Sequence, residues 1–175
     1  MSLKLFSEQV LACQQKLYRF ALRMLGSVEE AEDVVQETLM VLWDKRQDLS
    51  KLANVEAWSM RVVKNRSLDR IKYRQKREYS QVEDINVAGE APTPDRQAEV
   101  SDQMHFMQSI INQLPDNQKM IIQLREVEGY SYQEIAEMLE LNLSQVKVYL
   151  FRARQKVREQ LTKREAFGLN QSDGQ

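Results

Sequence analysis

The chain has 175 residues with 25 basic and 26 acidic side chains, for a formal net charge of −1, and this length holds one domain or two small ones. One cysteine and one histidine exclude an internal disulfide and a Cys/His zinc site, and the sequence has neither a glycine-rich phosphate loop nor a nucleophile beside a recognisable base, so we expect no enzyme, metal or cofactor. No apolar run approaches the roughly 20 residues that cross a bilayer, and no secretory signal is evident, so we expect a cytoplasmic protein that is not inserted in a membrane.

Helical periodicity organises the first part of the chain. Apolar residues recur at three- and four-residue steps, and Cys13 falls in the first such pattern, where we expect a small buried hydrophobe. Ser27 followed by Glu30 forms a capping box, and Asn54 is a plausible cap after a loop at residues 48–55. The predicted helices span residues 4–25, 28–47 and 56–78.

An acidic segment without periodicity separates two predicted domains. It covers residues 79–98 and contains glycine and prolines that cannot pack a core, so it is predicted to be a flexible linker. Residues 165–175 also lose periodicity and are predicted to be a disordered tail. We therefore expect an all-α protein with two small helical domains, at residues 1–78 and 99–164, joined by the linker.

The second domain begins with a helix that breaks at Pro115, which suits the start of the next helix. This next helix is predicted to end at Gly129. The positions expected on its apolar face are Met120, Ile121, Leu124 and Val127.

Residues 130–161 encode two further helices joined by a tight turn. Ser131 and Glu134 form a capping box for the first, and Asn142 and Gln145 repeat the pattern for the second. Residues 143–164, which begin with the second helix, carry seven basic residues against one acidic residue outside an apolar stripe at helical spacing. The stripe consists of Val146, Leu150, Ala153 and Val157. A short helix before a long cationic one is the helix-turn-helix arrangement that reads duplex DNA, whereas the alternative is a solvated basic face that binds nothing.

Charge is sorted along the chain. Residues 61–78 carry eight bases and two acids, whereas residues 28–48 carry seven acids and two bases. Together with the cationic last helix, this sorting indicates two surfaces for a polyanion, with acidic faces left for protein partners.

Two motifs resemble one protein family. Residues 33–43 (DVVQETLMVLW) and 57–72 (AWSMRVVKNRSLDRIK) are similar to region 2 of extracytoplasmic-function (ECF) sigma factors, the smallest sigma subunits of bacterial RNA polymerase. Residues 129–158 (GYSYQEIAEMLELNLSQVKVYLFRARQKVR) resemble their region 4. The two motifs in this order, with a linker between them, are far more specific than either alone. The chain departs from the family pattern at Thr38, Ser59, Val148 and Tyr149.

The resemblance implies a promoter-specificity subunit that binds core RNA polymerase and recognises the −10 and −35 promoter elements. The acidic side chains of the second helix would dock on the clamp helices of the largest polymerase subunit, although a solvated acidic face is the simpler interpretation without the family. These residues are Asp33, Gln36 and Glu37.

The third helix would engage the −10 element and capture a flipped base as the strands separate. Its cations suit phosphates, and its amide and carboxylate groups suit a base edge. The implied residues are Arg61, Lys64, Asn65, Asp69 and Arg70. Trp58 lies in the apolar stripe of this helix, so we expect core packing there rather than stacking on a base.

The start of the last helix would enter the major groove of the −35 element. Arg152 is the strongest candidate for base reading because a guanidinium pairs bidentately with guanine, while Phe151 fits base contact and core packing equally well. The implied residues are Ser144, Gln145, Lys147, Val148, Phe151, Arg152, Arg154 and Lys156.

The implied partners are core RNA polymerase, through its clamp helices and flap, promoter DNA, and an anti-sigma factor, with no small-molecule substrate. The main alternative is a homodimeric helix-turn-helix regulator that binds an operator without being a polymerase subunit. A helical adaptor that binds only proteins is a third possibility, and it predicts no salt-dependent affinity for DNA.

Overall fold

The structure is a computed structural model that describes residues 3–49, 54–82 and 102–172, with side chains described over residues 7–48, 54–79 and 106–164. Within these ranges all regular structure is helical, as predicted. The α-helices are α1 (Leu3–Leu25), α2 (Val28–Asp44), α3 (Arg46–Leu49), α4 (Val55–Val82), α5 (Asp102–Asn112), α6 (Asp116–Ile122), α7 (Tyr132–Leu139) and α8 (Leu143–Ser172).

The chain divides into two compact units. The first comprises Met1–Pro94 and Ala136–Leu141, and the second comprises Asp95–Ile135 and Asn142–Gln175. In the first unit, α1 packs on α2 and α4, and α2 also packs on α4. Its largest fully buried side chains are Leu17, Phe20, Val34, Leu42, Met60 and Val63.

Local capping signals set the ends of the first helices. The Ser27 Oγ accepts the Glu30 N–H at 3.3 Å, and the Asn54 Oδ1 accepts the Ala57 N–H at 2.9 Å, so both predicted caps are confirmed. Gly26 ends α1 with a φ of 68°, a left-handed conformation that favours glycine.

The two departures from the sigma pattern in this unit are accommodated inside the helices. Thr38 and Ser59 are both fully buried. Each hydroxyl donates to the carbonyl four residues earlier, with oxygen–oxygen distances of 2.7 Å to Val34 and to Val55. Because the buried hydroxyls are satisfied by backbone, neither residue interrupts its helix.

Trp58 packs where the sequence predicted. The ring is half-buried against the cluster formed by Leu42 and Val55. Core packing is therefore confirmed for this tryptophan.

In the second unit, α5 and α6 both pack on α8. Pro115 precedes the first residue of α6, as predicted, with a φ of −55° that suits this position. The fully buried side chains include Ile121, Leu124, Ile135, Val146 and Leu150.

A π-helical segment at Gln123–Val127 follows α6 directly. The Glu128 N–H donates to the Gln123 carbonyl at 3.1 Å, a bond that spans five residues rather than four. The extra residue in this turn rotates the following side chains away from the α-helical register. The prediction that Val127 faces the core is therefore wrong, since this side chain is 51% exposed.

Element ends differ from the sequence prediction at three places. The second predicted helix divides into α2 and α3, α4 continues to Val82, and α8 continues to Ser172. Helical backbone thus covers most of the segment that was predicted as a tail, because adding a residue to an existing helix is far easier than starting one. The remainder of the predicted linker, residues 83–98, and the loop residues 50–53 lie outside the described ranges.

Cys13 is buried, as predicted, and its thiol donates to the Val10 carbonyl at 3.3 Å. Among the described helices, none combines the length and the apolar character that a bilayer span requires.

Candidate nucleic-acid interface

Reciprocal side-chain hydrogen bonds cap the start of α8. The Asn142 Oδ1 accepts the Gln145 N–H at 2.8 Å, and the Gln145 Oε1 accepts the Asn142 N–H at 2.9 Å. Ser131 and Glu134 form the same box at the start of α7, at 2.7 and 3.2 Å. Both predicted capping boxes are confirmed, and they fix where α7 and α8 begin.

The turn between α7 and α8 closes with backbone hydrogen bonds. Glu140 has a φ of 58°, the left-handed conformation that ends many helices. The Leu141 N–H donates to the Ala136 carbonyl at 2.9 Å. This geometry stops α7 one turn before α8 starts, as a helix-turn-helix requires.

The start of α8 has a buried face and an exposed face. Val146, Leu150 and Ala153 are buried, as predicted, and Val157 is half-buried. Seven of the exposed residues lie at three- and four-residue steps from one another and therefore form one surface. They are Ser144, Gln145, Lys147, Val148, Phe151, Arg152 and Lys156.

Phe151 is 68% exposed. Core packing, one of the two interpretations open at the sequence level, is therefore wrong for this ring. Its neighbour Val148 is also exposed, at 44%, so two apolar side chains accompany Lys147 and Arg152 on the exposed face. Apolar contact with a thymine methyl group is one use for such side chains in a major groove.

Arg154 is engaged within the protein. Its Nη2 and Nε donate to the Glu126 Oε1 at 2.6 and 3.0 Å. This hydrogen bond is the main reason that the pKa of Arg154 is raised above its ordinary value. Both side chains are about half exposed, so a phosphate that approaches Arg154 competes with a solvated carboxylate.

Two rows of polar side chains run along α4. Arg66, Arg70 and Arg74 recur every four residues and pair with carboxylates of α2. Asn65 and Asp69 lie one position earlier in each turn and are exposed. The first row therefore joins two helices, and the second faces solvent.

The row of ion pairs involves part of the predicted polymerase surface. Glu37 accepts hydrogen bonds from Arg66 and, at 2.7 Å, from the Arg70 Nη2. Asp33 lies 3.6 Å from the Arg70 Nη1. A third pair joins Arg74 to Glu30, and Arg74 also donates to the Leu25 carbonyl at 3.0 Å. Together these contacts fix α4 against α2 and against the end of α1.

Not all predicted −10 residues are equally accessible. Arg61 is half-buried, and Lys64 is only 6% exposed. Among the three predicted docking residues, Gln36 and Asp33 are exposed, whereas Glu37 is half-buried. Among the predicted −10 residues, Asn65 and Asp69 are therefore the ones most accessible to a ligand.

Arg66, Arg74, Glu30 and Glu126 were not among the predicted site residues, although they set the geometry around it. A signal existed for the first two: arginines at positions 66, 70 and 74 share one helix face, and acidic residues occupy α2. The signal did not reveal the pairing because residues 30 and 74 are 44 positions apart.

Comparison with known proteins agrees with these features. The sequence family described as Sigma-70 region 2 matches residues 10–77. The family described as Sigma-70, region 4 matches residues 107–157. The first match covers most of α4, and the second covers α7 and the first half of α8.

Curated relatives are also sigma factors. ECF RNA polymerase sigma factor SigE of Mycolicibacterium smegmatis is 31% identical over 150 residues, which cover 85% of this chain and 58% of SigE. ECF RNA polymerase sigma factor SigL of Mycobacterium tuberculosis is 31% identical over 121 residues, which cover 69% of this chain and 68% of SigL. The chain thus spans somewhat more than half the length of SigE and two thirds of SigL.

A solved structure shares the fold. The sigma factor RpoE of Bartonella quintana, determined in complex with the anti-sigma factor NepR, aligns with a TM-score of 0.73 and 26% identity, over 91% of this chain and 98% of RpoE. Both regions, the relatives and this structural likeness lead to one assignment: the chain belongs to the extracytoplasmic-function sigma factors of the sigma-70 family.

Proposed function

We propose that this chain binds core RNA polymerase, recognises a bipartite promoter and directs transcription initiation in the cytoplasm. One observation carries the proposal. The chain has both an exposed polar row on α4 and an exposed cationic face at the start of α8, in the order of sigma regions 2 and 4. Membership of the sigma family speaks against the operator-binding homodimer, which would not need region 2.

The exposed face of α8 is assigned to the −35 element. Arg152 and Lys147 approach base edges, and Lys156 and Ser144 hold phosphates, while Val148 and Phe151 contact apolar base edges. The Gln145 Oε1 already caps α8, so its amide N–H groups are the part directed to DNA. Arg154 is assigned to a phosphate contact that it can make only when it is free of Glu126, so this pair withholds the contact in the wild-type chain.

The exposed row on α4 is assigned to the −10 element. Asn65 offers an amide and Asp69 a carboxylate, and both can pair with the edge of an unstacked base. Arg70 positions this row through its ion pairs with α2. Arg61 lies one helical turn before Asn65. Lys64 must leave its buried position to reach a phosphate.

The polymerase surface is assigned to Asp33 and Gln36, with Glu37 as a supporting residue. Exposed acidic groups opposite basic residues of the clamp helices would speed encounter and set register. Glu37 supports α4 through Arg66 and Arg70. The second unit would contact the polymerase flap. A protein of the anti-sigma class would compete for these surfaces, and the complex of RpoE with the anti-sigma factor NepR supports a partner of this class.

Run-off transcription with purified core polymerase on a promoter library tests the function. The wild-type chain is expected to bind core and to initiate at promoters that share two elements. Asp33→Lys should weaken core binding at least several-fold, with Glu8→Lys, an exposed reversal on α1, as the matched control. Arg152→Ala should leave core binding intact and reduce discrimination at one −35 base by roughly 1–3 kcal/mol.

Each half of this experiment can fail separately. Absence of a holoenzyme with wild-type protein would refute the sigma assignment. Normal core affinity of Asp33→Lys would remove α2 from the docking surface, and an unchanged −35 preference of Arg152→Ala would remove this residue from base reading.

A further inference from the structure

Two of the cations assigned to the −10 element already have acceptors within the chain. In the first unit, which includes the last residues of α7 and the turn after it, the Lys64 Nζ donates to the Glu140 Oε2 at 2.8 Å and to the Leu139 carbonyl at 3.4 Å. The Arg61 Nη2 donates to the Glu137 carbonyl at 3.0 Å, and the Arg61 Nε lies 3.7 Å from the Glu140 Oε1. These contacts account for the burial of Lys64, which is 6% exposed.

The acceptors in this contact together form an anionic group. The last carbonyls of a helix have no partner within that helix, and the helix dipole makes this end negative. The Glu140 carboxylate adds a full charge, and the hydrogen bond from Lys64 lowers the pKa of this carboxyl below its ordinary value, so it is ionised at neutral pH. A carboxylate beside carbonyl oxygens therefore offers Lys64 and Arg61 what a DNA phosphate offers, a negative charge with several acceptor oxygens.

The backbone at Glu140 favours a specific role for this side chain. Its φ of 58° is left-handed, the conformation in which glycine is the residue without steric cost. A glutamate held there is strained, and such strain persists where the surrounding contacts maintain it. The Lys64 side chain is 8% exposed and that of Glu140 is 51% exposed, so the contact hides the cation from solvent and leaves the acid in water.

We propose that Glu140 is an internal competitor of DNA, which holds Lys64 and Arg61 in the free chain and withholds them from the phosphates of the −10 strand. The inference rests on the proposed sigma function, which assigns both cations to this element, and it adds a restraint on DNA binding that is built into the chain. Phosphates gain the two cations only when the end of α7 leaves them. The free chain therefore binds DNA more weakly than its count of cations predicts.

Chemical labelling of lysines tests whether the contact forms in solution. Acetic anhydride modifies accessible amines, so in the full chain Lys64 should react at least several-fold more slowly than Lys72, an exposed lysine of the same helix. Glu140→Gly suits the left-handed backbone and should raise the Lys64 rate towards that of Lys72, as measured by mass spectrometry. Equal rates for the two lysines in the wild-type chain would overturn the inference.

Binding of the full chain to a labelled oligothymidylate strand tests the effect on DNA, because phosphate contacts carry no sequence information. Glu140→Gln should raise affinity by about 2- to 5-fold, the range for release of one ion pair. It should also steepen the logarithmic salt dependence by about 0.7 for each cation that is freed. Glu137→Gln is the matched control, since it removes the same charge from the end of α7 and leaves the hydrogen bond between Lys64 and Glu140 in place.

A second background separates the contact from net charge. In a Lys64→Met chain, Glu140→Gln should change affinity no more than Glu137→Gln does, because the main cation is absent. Equal gains from the two glutamine variants in the wild-type background would overturn the inference, as would a full gain from Glu140→Gln in the Lys64→Met chain. Failure of the wild-type chain to form holoenzyme would instead overturn the sigma function, since neither lysine labelling nor oligothymidylate binding requires the polymerase.

Discussion

Burial decides the chemistry of Cys13. The residue is 2% exposed, and burial, with a smaller contribution from Glu56, raises the pKa of its thiol from 9.0 to about 11. A thiol that stays protonated at neutral pH is a poor nucleophile. Cys13 therefore acts as a small core side chain, which agrees with the interpretation from helical periodicity.

The raised pKa predicts a pH-dependent contribution to stability. In the unfolded chain the thiol ionises near pH 9, whereas in the folded chain it keeps its proton to about pH 11, so the unfolded state is favoured as pH rises through this window. Below pH 9 both states are protonated, and the thiol adds no pH dependence. The loss should be about 1.4 kcal/mol per pH unit within the window.

Urea unfolding of wild type and Cys13→Ala at pH 8, 9.5 and 10.5 measures this contribution. The free-energy difference between the two proteins should shrink as pH rises, because only wild type loses the thiol contribution and the ionisation of all other groups is common to both. A difference that stays constant from pH 8 to 10.5 would show that folding does not change the ionisation of the thiol.

At the scale of elements, the π-helical segment decides whether the Arg154 guanidinium on α8 is free to bind DNA. It carries Glu126, which pairs with Arg154. Glu126→Gln should release this guanidinium and make the logarithmic dependence of DNA affinity on salt steeper by about one unit, the expected slope for one additional phosphate contact.

Affinity of the purified chain for duplex DNA over a series of salt concentrations measures this slope. Glu159→Gln is the matched control, because it also removes one negative charge but does not release Arg154. If both variants change the slope equally, net charge rather than the Arg154 pair governs binding.

At the scale of the whole molecule, two units joined in one chain bind a promoter with two elements more tightly than either unit would alone. Each unit's contact with the promoter raises the local concentration of the other, by an amount that depends on the connecting length. Doubling the segment 79–98 with glycine and serine should therefore lower holoenzyme affinity for a promoter with both elements by roughly threefold.

A promoter that carries only the −10 element is the control for this insertion, and its affinity should not change. Filter binding or fluorescence anisotropy on the two promoters gives the comparison. Equal affinities before and after the insertion would show that contacts with the polymerase, rather than chain length, set the local concentration.

Helices and their starts followed from the sequence because they depend on neighbours a few positions away. The caps at Ser27, Asn54, Ser131 and Asn142 form between residues three apart, and the stripe from Val146 to Ala153 needs only helical spacing. The family resemblance, carried by residue identities in order, likewise needed no coordinates.

Features that depend on distant partners needed the tertiary structure. The same spacing rule placed Val127 inside, but the π turn between Gln123 and Glu128 moved it to the surface. Phe151 was undecided until its exposure was known.

The sequence by itself therefore determined the helices, their caps, the two regions and the sign of the charge on each surface, since all of these depend on local spacing and composition. Only the tertiary structure decided which charged side chains face solvent and which are held. Glu37 is joined to Arg66 and Arg70, and Glu126 to Arg154, because an ion pair depends on which faces meet in space and not on separation along the chain.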